Sequence, residues 1–302
     1  MSSKFLDNIF NKREKQIGDS SKKLYTRNLE KMNNNNEVTD LTFLKNSTEI
    51  LKFIAKYKPT TQRSFIISIC TVLKNNDDKL YNQYFELLSK FNNDLKINVD
   101  KSEKQTKNWI EESDIQTIYN DVRTKASEKK TKSKDSFDNM LNYLIISLYI
   151  LQAPRRNIDY TLMKISSEMT DTNFNYLDLK NKQFIFNNYK TQGKYNSVNI
   201  TIEPDLFIVI NKYIKIHPEF KKMKNKSYNF HFLVNYNRDE INKSQNMTLL
   251  LNKIFNKKIG SSMLRNMFLT TKYGKIMKEL KVDVADMGTS VDVALNNYIK
   301  NE

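Results

Sequence analysis

The chain has 302 residues, with 50 Lys and Arg against 34 Asp and Glu, so its net charge is +16 and its pI lies near 9.5. That length suits about two domains, and the positive surplus points to a polyanionic partner. Hydrophobic residues at 39% exclude a disordered basic tail, and one cysteine, two histidines and 5 glycines exclude a disulfide framework, a Cys or His-rich metal site and a Gly-rich nucleotide loop.

The N-terminal string MSSKFLDNIFNKREK is charged throughout and lacks a secretory apolar core. Residues 1–98 read as short helices. Ile50, Leu51, Phe53 and Ile54 form one helical pattern, which Pro59 ends. Phe65, Ile66, Ile69, Val72 and Leu73 form the next. This half is either an ordinary helical bundle or a bundle with a basic face for DNA. Residues 99–108, within the polar string NVDKSEKQTKN, have linker composition. Residues 109–302 make the second domain, and Trp109 opens its first helix.

Between Arg123 and Lys134 a basic run includes Lys125, Lys129, Lys130 and Lys132, with Glu128 alone opposing it. Such a run is either a solvated loop or a set of phosphate contacts. Phe137 to Gln152 reads as a buried helix. Its apolar stretch from Tyr143 to Leu151 is far shorter than the ~20 residues of a membrane span, so the expectation is a soluble intracellular protein. After Pro154 the period changes. Tyr176–Leu179, Phe184–Phe186 and Ser197–Ile202 suggest a small antiparallel sheet of about three strands. Helical patterns resume over Asp205–His217, over Met247–Phe255, and from Ser261 to the end. The fold class expected is therefore mainly α with a small antiparallel β-sheet, an α+β protein.

Scarce glycines should sit where backbone freedom matters, and Gly193, Gly260 and Gly288 fall within unusual strings. In LQAPRRNIDY, Arg156 follows an apolar helix, and Asp159 three residues on could orient it; the pair is either structural or part of a site. Arg265 interrupts the apolar pattern Met263, Leu264, Met267, Phe268, and two such arginines suggest a phosphate clamp. Lys190 lies at the end of a strand before the KTQGK turn, where it is either held against one oxygen or merely solvated. Val291, Ala294, Leu295 and Tyr298 follow i, i+3, i+4, i+7 spacing. Tyr298 is then either a core residue or a phenol presented inward as a nucleophile.

In this order the strings resemble the tyrosine recombinase (phage integrase) family across nearly the whole chain. PRRNID resembles the family's Arg with an acidic residue at +3, through Arg156 and Asp159. YKT resembles its hairpin Lys, as Lys190, and SMLR its H-x-x-R helix, as Ser262 and Arg265. GTS with Tyr298 nine residues after Thr289 resembles its final element. Two departures stand out: Ser262 and Thr289 occupy the places of the family's histidines, and a hydroxyl does not titrate near neutrality.

The resemblance implies a helical core-binding domain over 1–98 and a mixed catalytic domain over 109–302. It implies a site-specific recombinase or integrase that cleaves and rejoins double-stranded DNA through a 3′-phosphotyrosyl link, with no metal, ATP or other cofactor. Tyr298 would be the nucleophile, Arg156 and Arg265 the charge-stabilising pair, and Lys190 the general acid. Ser262 and Thr289 would be hydrogen-bond donors and Asp159 the orienting acid. Arg155, Lys194, Lys129, Lys130 and Lys132 would contact DNA. Assembly on DNA as a dimer or tetramer is implied. The likeness to divergent recombinases of large DNA viruses and their mobile elements implies a host nucleus or a viral factory. Two alternatives stay open: a non-catalytic DNA-binding protein on a decayed recombinase scaffold, and DNA relaxation of the type IB topoisomerase kind.

Overall fold

The computed structural model describes residues 4–14, 16–97, 101–128 and 133–300. It divides into two compact units, residues 1–100 and 101–302. The chain is mainly helical with one small mixed sheet.

The first unit holds α1 (Lys4–Asn11), α2 (Asp19–Met32), α3 (Ser47–Ile54), α4 (Pro59–Leu73) and α5 (Asp78–Ile97). The Asn46 side chain accepts from the Glu49 amide at 3.3 Å and so caps α3. Pro59 opens α4 at a position whose N–H would have no helical partner in any case. The centre of this unit is α4, with Phe65, Ile66, Ile69, Val72 and Leu73 all buried. Polar groups that enter the core are matched: Asn28 Nδ2 donates to Ser68 Oγ at 2.9 Å, and Tyr84 donates to the Leu44 carbonyl at 2.9 Å.

The second unit begins with α6 (Glu103–Asn108), in the stretch expected to be a linker. The capping box between Ser102 and Gln105 explains why a polar hexamer becomes helical. Then come α7 (Glu112–Ser127) and α8 (Lys134–Ile150). Trp109, expected to open a helix, instead ends α6. Helix α8 is the spine of the main core, with Leu144, Ile145, Ile146 and Leu148 fully buried. Short α9 (Asn157–Thr161) leads into β1 (Met163–Ser166), β2 (Asn175–Asp178) and β3 (Gln183–Phe186). After α10 (Gln192–Tyr195) and β4 (Val198–Thr201) come α11 (Pro204–Ile216), β5 (Asn229–His231), α12 (Ser244–Phe255), α13 (Ser261–Asp286) and α14 (Val291–Val293).

The sheet has five strands in the order β4-β3-β2-β1-β5, not three. It is mixed rather than antiparallel, because β1 and β2 run parallel, with Met163 opposite Asn175. Both extra strands, MKIS and NFH, are too short to show an alternating pattern. Tyr160 packs edge-on against Phe184 and Phe186, with ring centroids 5.9 and 6.3 Å away, and so ties α9 to β3.

The C-terminal segment departs most from expectation. Helix α13 has 26 residues, and its buried residues are Met263, Leu264, Met267 and Val284. The stretch between Met267 and Val284 projects as an arm with Leu269, Tyr273, Ile276 and Val282 exposed. Gly288, at φ +68°, ends the helix and allows the Thr289 amide to reach the Val284 carbonyl at 2.8 Å. Of the three glycines singled out from the sequence, only Gly288 has a positive φ. Among the described residues, no helix is long and apolar enough to cross a membrane.

Candidate functional site

The site forms where α9, the turn after β3 and the start of α13 meet. Arg156 is the N-cap residue of α9. The next residue, Asn157, is buried and fixes that end of α9 from three sides. Its Nδ2 donates to the Ser244 carbonyl at 3.1 Å and to Thr248 Oγ1 at 2.9 Å, and its Oδ1 accepts from the Tyr149 hydroxyl at 2.6 Å. Its backbone amide donates to Ser261 Oγ at 3.3 Å. One asparagine therefore ties Arg156 to α8, α12 and the first turn of α13.

Asn175 does the same for the other wall. Its Nδ2 donates to the Asp159 carbonyl at 2.7 Å and to the Asn188 carbonyl at 3.0 Å. Its Oδ1 accepts from the amides of Asn187 and Asn188 at 2.9 and 2.8 Å. The turn that carries Lys190 is thereby held against α9. Lys190 itself is exposed, beyond the end of β3 rather than within a regular hairpin. Nothing in the sequence marks either asparagine, since asparagine is common in this chain.

Asp159 is buried and its partner is Arg155, not Arg156. Arg155 donates from Nε to Asp159 Oδ2 at 2.9 Å, while its guanidinium lies 3.8 Å over the Phe186 ring and 5.1 Å from that of Tyr189. Among the described residues, Asp159 Oδ1 has no hydrogen-bond partner. Burial raises the Asp159 carboxyl above the usual carboxylate range, against the pull of Arg155 and Arg156. Arg155, expected to contact DNA, is thus held inside the site by an acid and two rings.

Arg265 lies on the first turns of α13, half-buried. Burial first, and the nearby Arg156 charge second, lower its proton affinity below the ordinary arginine value. Arg155 adds to that effect and Asp159 opposes it. The cluster thus holds three guanidiniums and one carboxylate. Among the described residues, the Arg156 and Arg265 side chains have no hydrogen-bond or ion-pair partner. Such unmatched, neighbouring cations, with Arg156 lining a surface trough, suit an anion.

The trough has a volume of about 810 Å³, and Arg156, Lys190, Ser262, Asn266 and Lys258 are among its lining residues. Ser262 lies one turn before Arg265 on the same face of α13. Arg156, Lys190 and Ser262 thus come together on one trough from positions distant in the sequence, and Arg265 lies close enough to feel the Arg156 charge without lining the trough itself. Thr289 and Tyr298 do not join them. Thr289 sits in the turn that ends the arm, and Tyr298 lies beyond it, 60% exposed rather than facing inward. Helical rise puts Val284, at the arm tip, roughly 28 Å from Arg265.

The remaining expected DNA contacts give less. Lys129, Lys130, Lys132 and the side chain of Lys194 lie outside the described residues. In the first unit, Lys22, Lys23 and Arg27 share one cleft with Asp7, Asp19 and Glu30, so that surface carries both signs. The two histidines are structural. His217 is buried between the His231 carbonyl and the Glu219 amide, each at 3.1 Å, and burial lowers its pKa to about 4. His231 pairs with Glu240 at 3.3 Å. No protein-family model matches the chain, and no curated protein matches it either.

Proposed function

We propose that the chain is a DNA strand transferase of the tyrosine recombinase kind, a recombinase or integrase acting on duplex DNA. The observation that supports this most is a trough lined by Arg156, Lys190 and Ser262, with Arg265 near enough for the Arg156 charge to act on it. A phosphodiester bound there has two guanidiniums to stabilise charge growing on its non-bridging oxygens. Ser262 adds a hydrogen bond.

In the reaction, the Tyr298 oxygen bonds to phosphorus and the bond to the 5′ oxygen breaks. Lys190 gives that oxygen its proton. The phenol proton passes to water, to which Tyr298 is open. The product is a 3′-phosphotyrosyl link, and attack by a 5′ hydroxyl reverses the step to rejoin a strand. The link keeps the energy of the phosphodiester.

Tyr298 reaches a trough from outside it. The arm that carries it has an exposed apolar face, with Leu269, Tyr273 and Ile276. The arm therefore delivers Tyr298 to the trough of a second copy on the same DNA, and cleavage needs at least a dimer. The test is a nicked duplex whose cleaved end diffuses away and traps the adduct. Wild type should form a covalent protein–DNA species that Tyr298→Phe does not form.

A second reading has its own observation. Ser262 and Thr289 replace titratable groups, and Thr289 and Tyr298 lie away from the trough. A DNA-binding protein without cleavage chemistry would have these features. It would bind duplex and leave no adduct on any nicked site.

A further inference from the structure

The trough lined by Arg156 does not end there. A second groove, of about 830 Å³, shares Lys104, Asn252 and Lys258 with it and continues to Lys107. Two segments build this extension: α6, and the loop between α12 and α13. Asn108 locks them together. Its Nδ2 donates to the Lys104 carbonyl at 2.8 Å, and its Oδ1 accepts from the Lys258 amide at 2.9 Å. Lys257 fastens the same seam by donating from Nζ to the Trp109 carbonyl at 2.8 Å.

The groove therefore has a fixed frame and free cations on it. Lys104 and Lys107 are three positions apart on α6, so they share a face. Lys104, Lys107 and Lys258 are exposed, and among the described residues none of the three side chains has a hydrogen-bond or ion-pair partner. Glu103 also lines the groove, leaving the balance positive. A single small anion would need these charges to converge. Cations set out along a continuous trough instead match a chain of phosphates.

We propose that Lys104, Lys107 and Lys258 form a backbone track for duplex DNA, holding the phosphates next to the one at Arg156 and Arg265. This assignment rests on the strand-transfer reading for its ligand. The track sets where the duplex lies, and so which phosphodiester enters the arginine pair. Phosphate contacts of this kind fix register without reading sequence.

The experiment measures how the affinity of the full chain for a fluorescein-labelled duplex of about 40 base pairs depends on salt. Each phosphate contact contributes about 0.9 to the slope of log K against log salt. The triple variant Lys104→Ala, Lys107→Ala, Lys258→Ala should lose about 2 to 3 of that slope and bind at least about tenfold more weakly at low salt. The control Lys221→Ala, Lys224→Ala, Lys226→Ala removes the same charge from exposed positions elsewhere, and should keep the wild-type slope within about 1. Thermal melting shows that each variant is folded.

An unchanged slope in the track variant overturns the track, as does an equal loss in the control, or no duplex binding by wild type. The adduct assay reports separately on the chemistry. A reduced slope without any wild-type adduct keeps the track and sinks strand transfer. An adduct with an unchanged slope does the reverse.

Discussion

Arg155 donates its Nε–H to Asp159 Oδ2 at 2.9 Å, and that bond decides which arginine is left for a ligand. The carboxylate three residues after Arg156 is already taken by Arg155, which is itself held over Phe186. Arg156 therefore faces the trough without an acid of its own, and Arg265 nearby is likewise without a hydrogen-bonded acid among the described residues.

The pair can be tested by a double-mutant cycle. Arg155→Ala takes away the hydrogen-bonded partner of the buried Asp159 carboxyl, and should destabilise the protein by about 3 kcal/mol. Asp159→Asn in the same chain should return most of that loss. Denaturant titration measures it. A loss below about 1 kcal/mol for Arg155→Ala would contradict a dependent buried acid.

Delivery of Tyr298 between copies predicts complementation. Alone, Tyr298→Phe should form no adduct and Arg156→Ala roughly 100-fold less than wild type or lower. Mixed on one nicked duplex, they should regain a measurable part of the wild-type yield, because one copy keeps the phenol and the other keeps the trough. An adduct yield that stays at background across mixing ratios counts against the arm as the carrier.

Stability should fall with acid in a defined window. His217 is neutral in the fold because burial lowers its pKa from 6.5 to about 4, while the unfolded chain protonates near 6.5. The contribution is complete above about pH 6.5 and is lost as pH falls towards 4, amounting to roughly 3 kcal/mol. His231, also lowered, chiefly by burial, acts in the same direction. Urea titrations at the two ends of this window should show the loss, and His217→Gln should shrink it by most of that amount. An equal pH dependence in His217→Gln would refute the role.

Cys70 reports on the first unit. It is buried in α4, and burial pushes its thiol up to about 11. A thiol reagent at neutral pH should label it only as that unit unfolds. Rapid labelling of the native protein would place the thiol at the surface instead.

The long apolar patterns were legible in the sequence. Phe65 to Leu73 and Phe137 to Ile150 have enough periodic residues to declare buried helices. Arg156 and Arg265 stood out because charge inside an apolar string needs a reason. What could not be read depends on short or polar pieces. Helix α6 relies on a capping box and on Asn108, not on an apolar stripe. Strands β1 and β5 gain their stability from neighbours far along the chain. Tyr298 sits at helical spacing with Ala294, yet only Ala294 is buried, because the arm tip offers no core for the rest of that stripe. The +3 spacing points from Arg156 to Asp159, whereas the i, i+4 relation and the Phe186 ring select Arg155.

The most direct measurement of the central claim is the covalent adduct on a library of nicked duplexes, followed by denaturing electrophoresis and mapping of the modified residue. A DNA-linked peptide containing Tyr298 is expected, absent in Tyr298→Phe. The yield should fall roughly 100-fold or more in Arg156→Ala and Arg265→Ala, with duplex binding largely kept. Linkage to another residue, or equal yield without either arginine, would contradict the claim.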